Sequence, residues 1–220
     1  KPADADRDQS YMLSMLPREY IDKIILPLGP YAKSETRAYA EKLGLIVANK
    51  PDSQEICFIP DGDYAGFIMA DEKSRGKIKP GNIATADNKI LGRHNGLINY
   101  TIGQRKGLNI AHKTPLYVIK LDRERNEVVV AEAEAAEKKE FFVKGINWHP
   151  EAPITPGYVY AVKIRYKHRE TEAELTPLDG GRAAVKLHKP ERGVTPGQIL
   201  AVYDGEFLLA VPRLFEIAFQ

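Results

Sequence analysis

Cysteine is the scarcest useful residue in this 220-residue chain, occurring once, at position 57, and there is a single tryptophan. One cysteine excludes an internal disulfide, so the fold must rest on packing. The Cys57 thiol is then either a small buried hydrophobe or a chemical tool. Long apolar runs are missing too. Stretches such as Phe207-Leu208-Leu209-Ala210-Val211 fall far short of the roughly 20 residues a bilayer-spanning helix needs. The polar start Lys1-Pro2-Ala3-Asp4-Ala5-Asp6 does not read as a signal peptide, so the expected setting is cytoplasmic, with no membrane partner. No Walker loop, Rossmann glycine fingerprint or SGGxDS-type pyrophosphate loop occurs, and any ATP site is expected outside this chain. The histidines (His94, His112, His149, His168, His188) are scattered without ligand spacing, so no metal site is expected.

What the chain does have is 43% hydrophobic residues, enough for one or two cores, and an uneven charge. The net charge is only +2, but residues 1–72 carry 8 Lys+Arg against 13 Asp+Glu. Residues 73–113 reverse this, with Lys73, Arg75, Lys77, Lys79, Lys89, Arg93, Arg105, Lys106 and Lys113 against Asp87 alone, a local charge of +8. The remaining residues hold 15 basic against 16 acidic side chains. A basic block of that density attracts a phosphate backbone through counterion release. A solvated basic surface, or one packed on the acidic first segment, would have the same composition.

Periodicity divides the chain into three parts, at residues 1–60, 61–132 and 139–220. In the first, apolar positions at helical spacing predict a helix over 8–16 that Pro17 ends. A second helix is predicted with Ser34 as its cap and Gly44 as its left-handed stop, followed by a short strand at 45–48. This order fits the tail of an α/β layer, and the chain reads as truncated at its start. Residues 60–63 form a turn and cap before a short helix over 64–69. Short strands follow at 83–86 and 89–91, then a hairpin of 116–121 against 127–131. Residues 131–139, rich in Ala, Glu and Lys, read as a linker. Six strands are predicted beyond it, at 141–148, 159–167, 170–176, 182–188, 198–203 and 207–219, the last bent at Pro212. Such a series closes into a small antiparallel barrel. The fold class expected is therefore α+β, mostly β.

Three motifs could carry chemistry, each with a plainer alternative. Lys50-Pro51-Asp52-Ser53-Gln54-Glu55-Ile56-Cys57-Phe58-Ile59-Pro60 sets the thiol at a loop-to-strand transition. A nucleophilic or sulfur-carrying cysteine must be an accessible thiolate, yet Ile56 to Ile59 also reads as a buried strand. Gly92-Arg93-His94-Asn95-Gly96 and Tyr100-Thr101-Ile102-Gly103-Gln104-Arg105-Lys106-Gly107-Leu108 allow close backbone approach to phosphate, and equally make ordinary hairpin turns. In Val162-Lys163-Ile164-Arg165-Tyr166-Lys167, strand alternation puts three cations on one face, suited to RNA. With a turn at His168-Arg169, however, Glu170, Glu172 and Glu174 would lie across from Lys167, Arg165 and Lys163 and neutralise them.

Taken in order, Asp8-Gln9-Ser10-Tyr11, the 51–59 segment, the two glycine clusters and Thr195-Pro196-Gly197-Gln198 resemble the bacterial tRNA-specific 2-thiouridylases over nearly the whole chain. The resemblance implies the C-terminal portion of such an enzyme: the tail of an ATP-pyrophosphatase-type α/β catalytic domain, a small β-rich central domain and a C-terminal β-barrel. In that family ATP, with Mg, activates C2 of the wobble uridine of Lys, Glu and Gln tRNAs, and a persulfide sulfur supplied by a relay protein or cysteine desulfurase displaces AMP. Carried over by position, Cys57 is the persulfide cysteine, which an earlier cysteine attacks. Arg7, Asp8, Gln9, Arg165, Tyr166 and Gln198 are implied as tRNA contacts, Arg7 standing where a Lys is expected. The first cysteine and the ATP loop are missing, so this portion would not thiolate tRNA alone. A rival reading is a non-catalytic RNA-binding barrel in which Cys57 is packing.

Overall fold

The computed structural model describes residues 1–52, 56, 58–59, 62–71, 73–74, 76–148, 154–166 and 168–217. Cys57 and Lys167 lie outside the described residues. The chain forms two units, Lys1–Pro51 with Lys139–Gln220, and Asp52–Lys138.

The first unit begins with a 3-10 turn, Ala5–Arg7, and three helices, α1 (Ser10–Leu13), α2 (Arg18–Ile21) and α3 (Lys33–Lys42). Helix α3 starts one residue before the predicted cap Ser34. Its free N–H groups are met by carboxylates instead: Lys33 N–H donates to Asp4 (3.0 Å) and Ala32 N–H to Glu35 (2.7 Å). Gly44 ends it with φ +69°, the conformation that a residue without Cβ adopts freely. The strand expected at 45–48 does not form. Residues 46–49 make a turn and Ile46 is fully exposed, because an extended segment needs a ladder partner and the described residues supply none there.

In the second unit, α4 (Tyr64–Ala70) is capped by Asp63, whose carboxylate accepts from Gly66 N–H at 2.8 Å. Strands β1 (Gly81–Thr85), β2 (Ile90–His94), β3 (Leu116–Asp122) and β4 (Glu127–Glu132) form a sheet in the order β2-β1-β4-β3. The two hairpins are antiparallel and are joined through a parallel β1–β4 pair. Alternation buries Ile83, Val118, Val128 and Val130 on one face, where Leu108 and Leu116 complete the core. Gly81 is needed at the start of β1 because a Cβ there would strike the Asn126 carbonyl and the His94 ring.

Residues 131–139 are not a linker. They form the end of β4, a turn of helix α5 (Ala133–Ala136) with Ala136 buried, and the start of β5 (Glu137–Trp148). Strand β5 joins β6 (Val159–Lys163), β7 (Thr171–Leu178), β8 (Arg182–Arg192), β9 (Ala201–Asp204) and β10 (Phe207–Ile217) in a closed barrel of order β10-β5-β8-β7-β6-β9. The ladder of β10 shifts register between Val211 and Arg213, at Pro212, which cannot donate to its neighbour. Closure removes sheet edges, and the interior is filled by side chains including Phe141, Ile164, Leu175, Leu187 and Leu200. The mostly β fold with a central sheet and C-terminal barrel therefore matches expectation.

Candidate nucleic-acid interface

Helix α1 is too short to persist alone, and it is held by what it touches. Tyr11 packs with Ala201 and Tyr203 in a small cluster on the barrel. Its hydroxyl donates between the carbonyls of Ile164 (3.3 Å) and Ile199 (3.2 Å). The Ser10 and Tyr203 hydroxyls share a hydrogen bond of 2.9 Å, and Asn147 donates its amide to the Leu16 carbonyl at 2.9 Å. Residues 8–16 are thus pinned to β5, β6 and β9.

That anchoring brings together residues the sequence separates widely. The Gln9 amide donates to the Tyr166 hydroxyl at 2.6 Å, across 157 positions. Asp8 is buried, accepts from Ser10 N–H at 2.8 Å and has the Lys163 ammonium 3.7 Å away. Burial alone would raise the Asp8 pKa, but the Ser10 hydrogen bonds and the Lys163 charge outweigh it and leave the carboxyl below its ordinary value. Burial pushes the Tyr11 phenol up to about 12, although Arg165 opposes the shift, and burial also pushes Tyr203 up to about 12.

Arg165 donates to the Arg192 carbonyl at 3.1 Å, beneath the turn that begins at Gly193. Gly193 has φ +74°, which favours glycine, and a Cβ on it would lie 2.9 Å from the Arg165 guanidinium and push that flexible end aside. The turn closes when Gln198 N–H donates to the Thr195 carbonyl (3.2 Å) and Thr195 N–H to the Gln198 side-chain oxygen (3.3 Å). Gln198 is thereby held in the turn just before Ile199, whose carbonyl receives Tyr11. Asp8, Gln9, Arg165, Tyr166 and Gln198 gather around α1 and the end of β6. Arg7 is exposed at the start of the same segment. The arrangement offers a phenol, amides and the Arg165 guanidinium, groups suited to bases and phosphates.

Among the described residues the expected cross-strand neutralisation of the basic strand does not occur, and Lys163 meets Asp8 instead. Strand β6 stops at Lys163, and Val159, not Lys163, lies opposite Glu174. The reason is a remote contact: the Ile164 carbonyl is taken by the Tyr11 hydroxyl, and the buried Ile164 side chain turns into the core. Glu172 and Glu174 flank His188 instead, each at 3.2 Å. Sequence reading missed Tyr11, Ser10 and Tyr203 as supports. Tyr11 lay on the apolar face of the predicted first helix, but nothing local marked its hydroxyl's partners.

In the central unit, the His94 cluster is structural. The buried ring accepts from Gly96 N–H at Nδ1 (3.0 Å) and meets the Asn126 carbonyl at Nε2 (3.1 Å), tying the end of β2 to the β3–β4 loop. Among the described residues no group of three or more His, Cys, Asp and Glu side chains is placed to hold a metal ion, and no helix is long and apolar enough to cross a membrane.

Residues 1–61 match the tRNA methyl transferase HUP domain, residues 73–132 the tRNA methyl transferase PRC-barrel domain and residues 138–210 the aminomethyltransferase beta-barrel domain. The tRNA-specific 2-thiouridylase MnmA of Halothermothrix orenii is 41% identical over 209 residues, covering 95% of this chain and 58% of that protein. The protein of the same name from Dinoroseobacter shibae is 47% identical over 207 residues, 92% of this chain and 53% of that protein. The chain belongs to the tRNA-specific 2-thiouridylase family. It spans a little over half the length of these thiouridylase relatives. The family's PRC-barrel match covers the four-stranded sheet, and its beta-barrel match covers the closed barrel as far as Ala210.

Proposed function

We propose that this chain is the C-terminal portion of a tRNA 2-thiouridylase, with a catalytic-domain tail at 1–60, a central domain at 61–132 and a barrel at 139–220. In this reading Arg7, Asp8, Gln9, Arg165, Tyr166 and Gln198 contact tRNA of the Lys, Glu and Gln type, and Cys57 carries a persulfide. One observation supports it above the others: the Gln9–Tyr166 hydrogen bond of 2.6 Å links two segments that the resemblance assigns separately to tRNA. The family domains carry a methyl-transfer name and the relatives a thiolation name. A lone thiol in the motif of residues 51–59 favours thiolation.

The terminal persulfide sulfur would add to C2 of the adenylated uridine and AMP would leave with the former C2 oxygen. An earlier cysteine would then break the sulfur–sulfur bond, leaving 2-thiouridine on tRNA and a disulfide between the two cysteines for a thiol reductant to reopen. The persulfide is replenished by a relay protein or cysteine desulfurase. ATP, with Mg, would be held outside this chain, since the sequence has no SGGxDS loop, and no residue here is assigned to adenylation.

The test uses the full-length enzyme. After incubation with a sulfur donor, mass spectrometry of the Cys57 peptide should show the gain of one sulfur atom. Cys57→Ser should abolish thiolation and leave tRNA affinity intact. Unmodified Cys57 together with intact tRNA binding would instead leave a non-catalytic RNA-binding barrel.

A further inference from the structure

We infer that the concave face of residues 105–116 in the central unit is an additional phosphate-binding site for the RNA backbone, held by Arg105 and Lys113. This rests on the RNA-binding part of the proposed function and adds a site that the resemblance does not assign.

The groove has a volume of about 400 Å³, and Arg105, Leu108, Asn109, His112, Lys113 and Thr114 are among its lining. Its floor is rigid because Leu108 and Leu116 are buried in the core of the central sheet. Its wall is braced as well. Gly103 N–H donates to the Val118 carbonyl (2.7 Å) and Val118 N–H to the Gln104 carbonyl (3.0 Å), while the Gln104 side chain accepts from Thr101 N–H and donates to the Lys106 carbonyl, both at 2.9 Å. Gly107 (φ +78°) and Asn109 (φ +53°) turn the chain back on itself through left-handed positions. The cations therefore project from a preformed cradle rather than a floppy loop.

Charge is the second observation. Among the described residues Lys73, Lys77, Lys79, Lys89, Arg93, Arg105, Lys106 and Lys113 make no ion pair, although the central unit contains as many Asp and Glu as Lys and Arg. Three of its carboxylates are engaged elsewhere, while Asp87 feels the charge of Lys89 within the block. Asp122 holds Lys120 at 2.8 Å and Glu127 holds Arg125 at 3.1 Å. Glu132, the acid nearest the groove, accepts from the Thr114 hydroxyl at 2.6 Å and lies 4.0 Å from His112 Nδ1. Lys89 and Arg93 flank and occupy the edge strand β2, where charge deters pairing with another chain, whereas the outer side of β3 is already engaged by the hydrogen bonds of Gly103 and Gln104 to Val118, so Arg105, Lys106 and Lys113 are not needed to guard it. Uncompensated like charges on one loop work against folding, and a polyanion relieves them. A guanidinium fork and an ammonium at the rim of a partly apolar floor suit a phosphodiester lying against a ribose.

The test measures binding of the 220-residue chain to a labelled tRNA transcript across a salt series. In Arg105→Ala/Lys113→Ala the slope of log Kobs against log salt should fall by about two, since each phosphate contact contributes ~0.9. Arg105→Lys/Lys113→Arg should retain the slope, and so should Lys120→Ala, whose ammonium is already held by Asp122. An unchanged slope in the alanine pair, with melting also unchanged, would overturn the groove while leaving the barrel contacts standing. If the alanine pair lost ATP or pyrophosphate binding but kept the tRNA slope, the groove would be a free-nucleotide site and the inference would also fall. If the wild-type chain failed to bind tRNA at all, the parent reading would fall with it.

Discussion

The barrel and the central sheet handle charge in opposite ways. On the barrel unit, Lys163 meets Asp8, Lys186 meets Glu140, His168 meets Glu191 and His188 sits between two glutamates. In the central sheet the described ion pairs involve residues 112–132, while the described Lys and Arg of the basic block have none. The barrel is closed and has a large buried interior, so it can fix polar side chains such as Gln9 and Tyr166 against each other at hydrogen-bond precision. The sheet has two edges and a smaller core. The first arrangement suits discrimination of a particular RNA surface, and the second suits undirected attraction to a backbone.

The contrast can be strained at three levels. Leu187→Ala, deep in the barrel, should destabilise by about 2–5 kcal/mol in urea unfolding, whereas Leu116→Ala, in the smaller core of the central sheet, should cost about 2 kcal/mol. Equal losses would show that the two cores are equally tight. Lys163→Ala should cost about 1–3 kcal/mol, because Asp8 stays buried without its cation. The Asp8 pKa is lowered on folding, so its contribution is complete above the ordinary value of 3.8 and disappears as pH falls through the lower folded value. Acid titration of Asp8→Asn should therefore lose part of the stability change below that pH, and an identical acid limb would rule the pair out as a clamp. Smallest is Lys186→Ala. Both members of its pair with Glu140 are solvated, so a change within about 0.5 kcal/mol is expected, and a larger one would mean that surface pairs bind the barrel together.

Local patterns made much of the fold legible. The hairpin over 116–131 followed from alternation on both sides of a polar loop, and the bend of β10 followed from Pro212. Asp63 could be read as a helix cap because its chemistry is satisfied three residues away. Failures arose where a segment's partner was remote. The Ala/Glu/Lys composition of 131–139 resembles a linker, yet β5 begins within it once β8 and β10 supply ladders. The register of β6 against β7 slipped from the expected one because Tyr11, from far earlier in the chain, takes the Ile164 carbonyl.

The sequence by itself determined most of the strands and turns, the single thiol and the dense basic block, since each is written in neighbouring residues. Only the tertiary structure decided that Gln9 meets Tyr166 and Asp8 meets Lys163, and that Arg105 and Lys113 line one groove without ion partners. The first two contacts join residues about 150 positions apart, so no local periodicity encodes them. They exist because a closed barrel offers Tyr11 a place to bury its ring and two carbonyls to receive its hydroxyl.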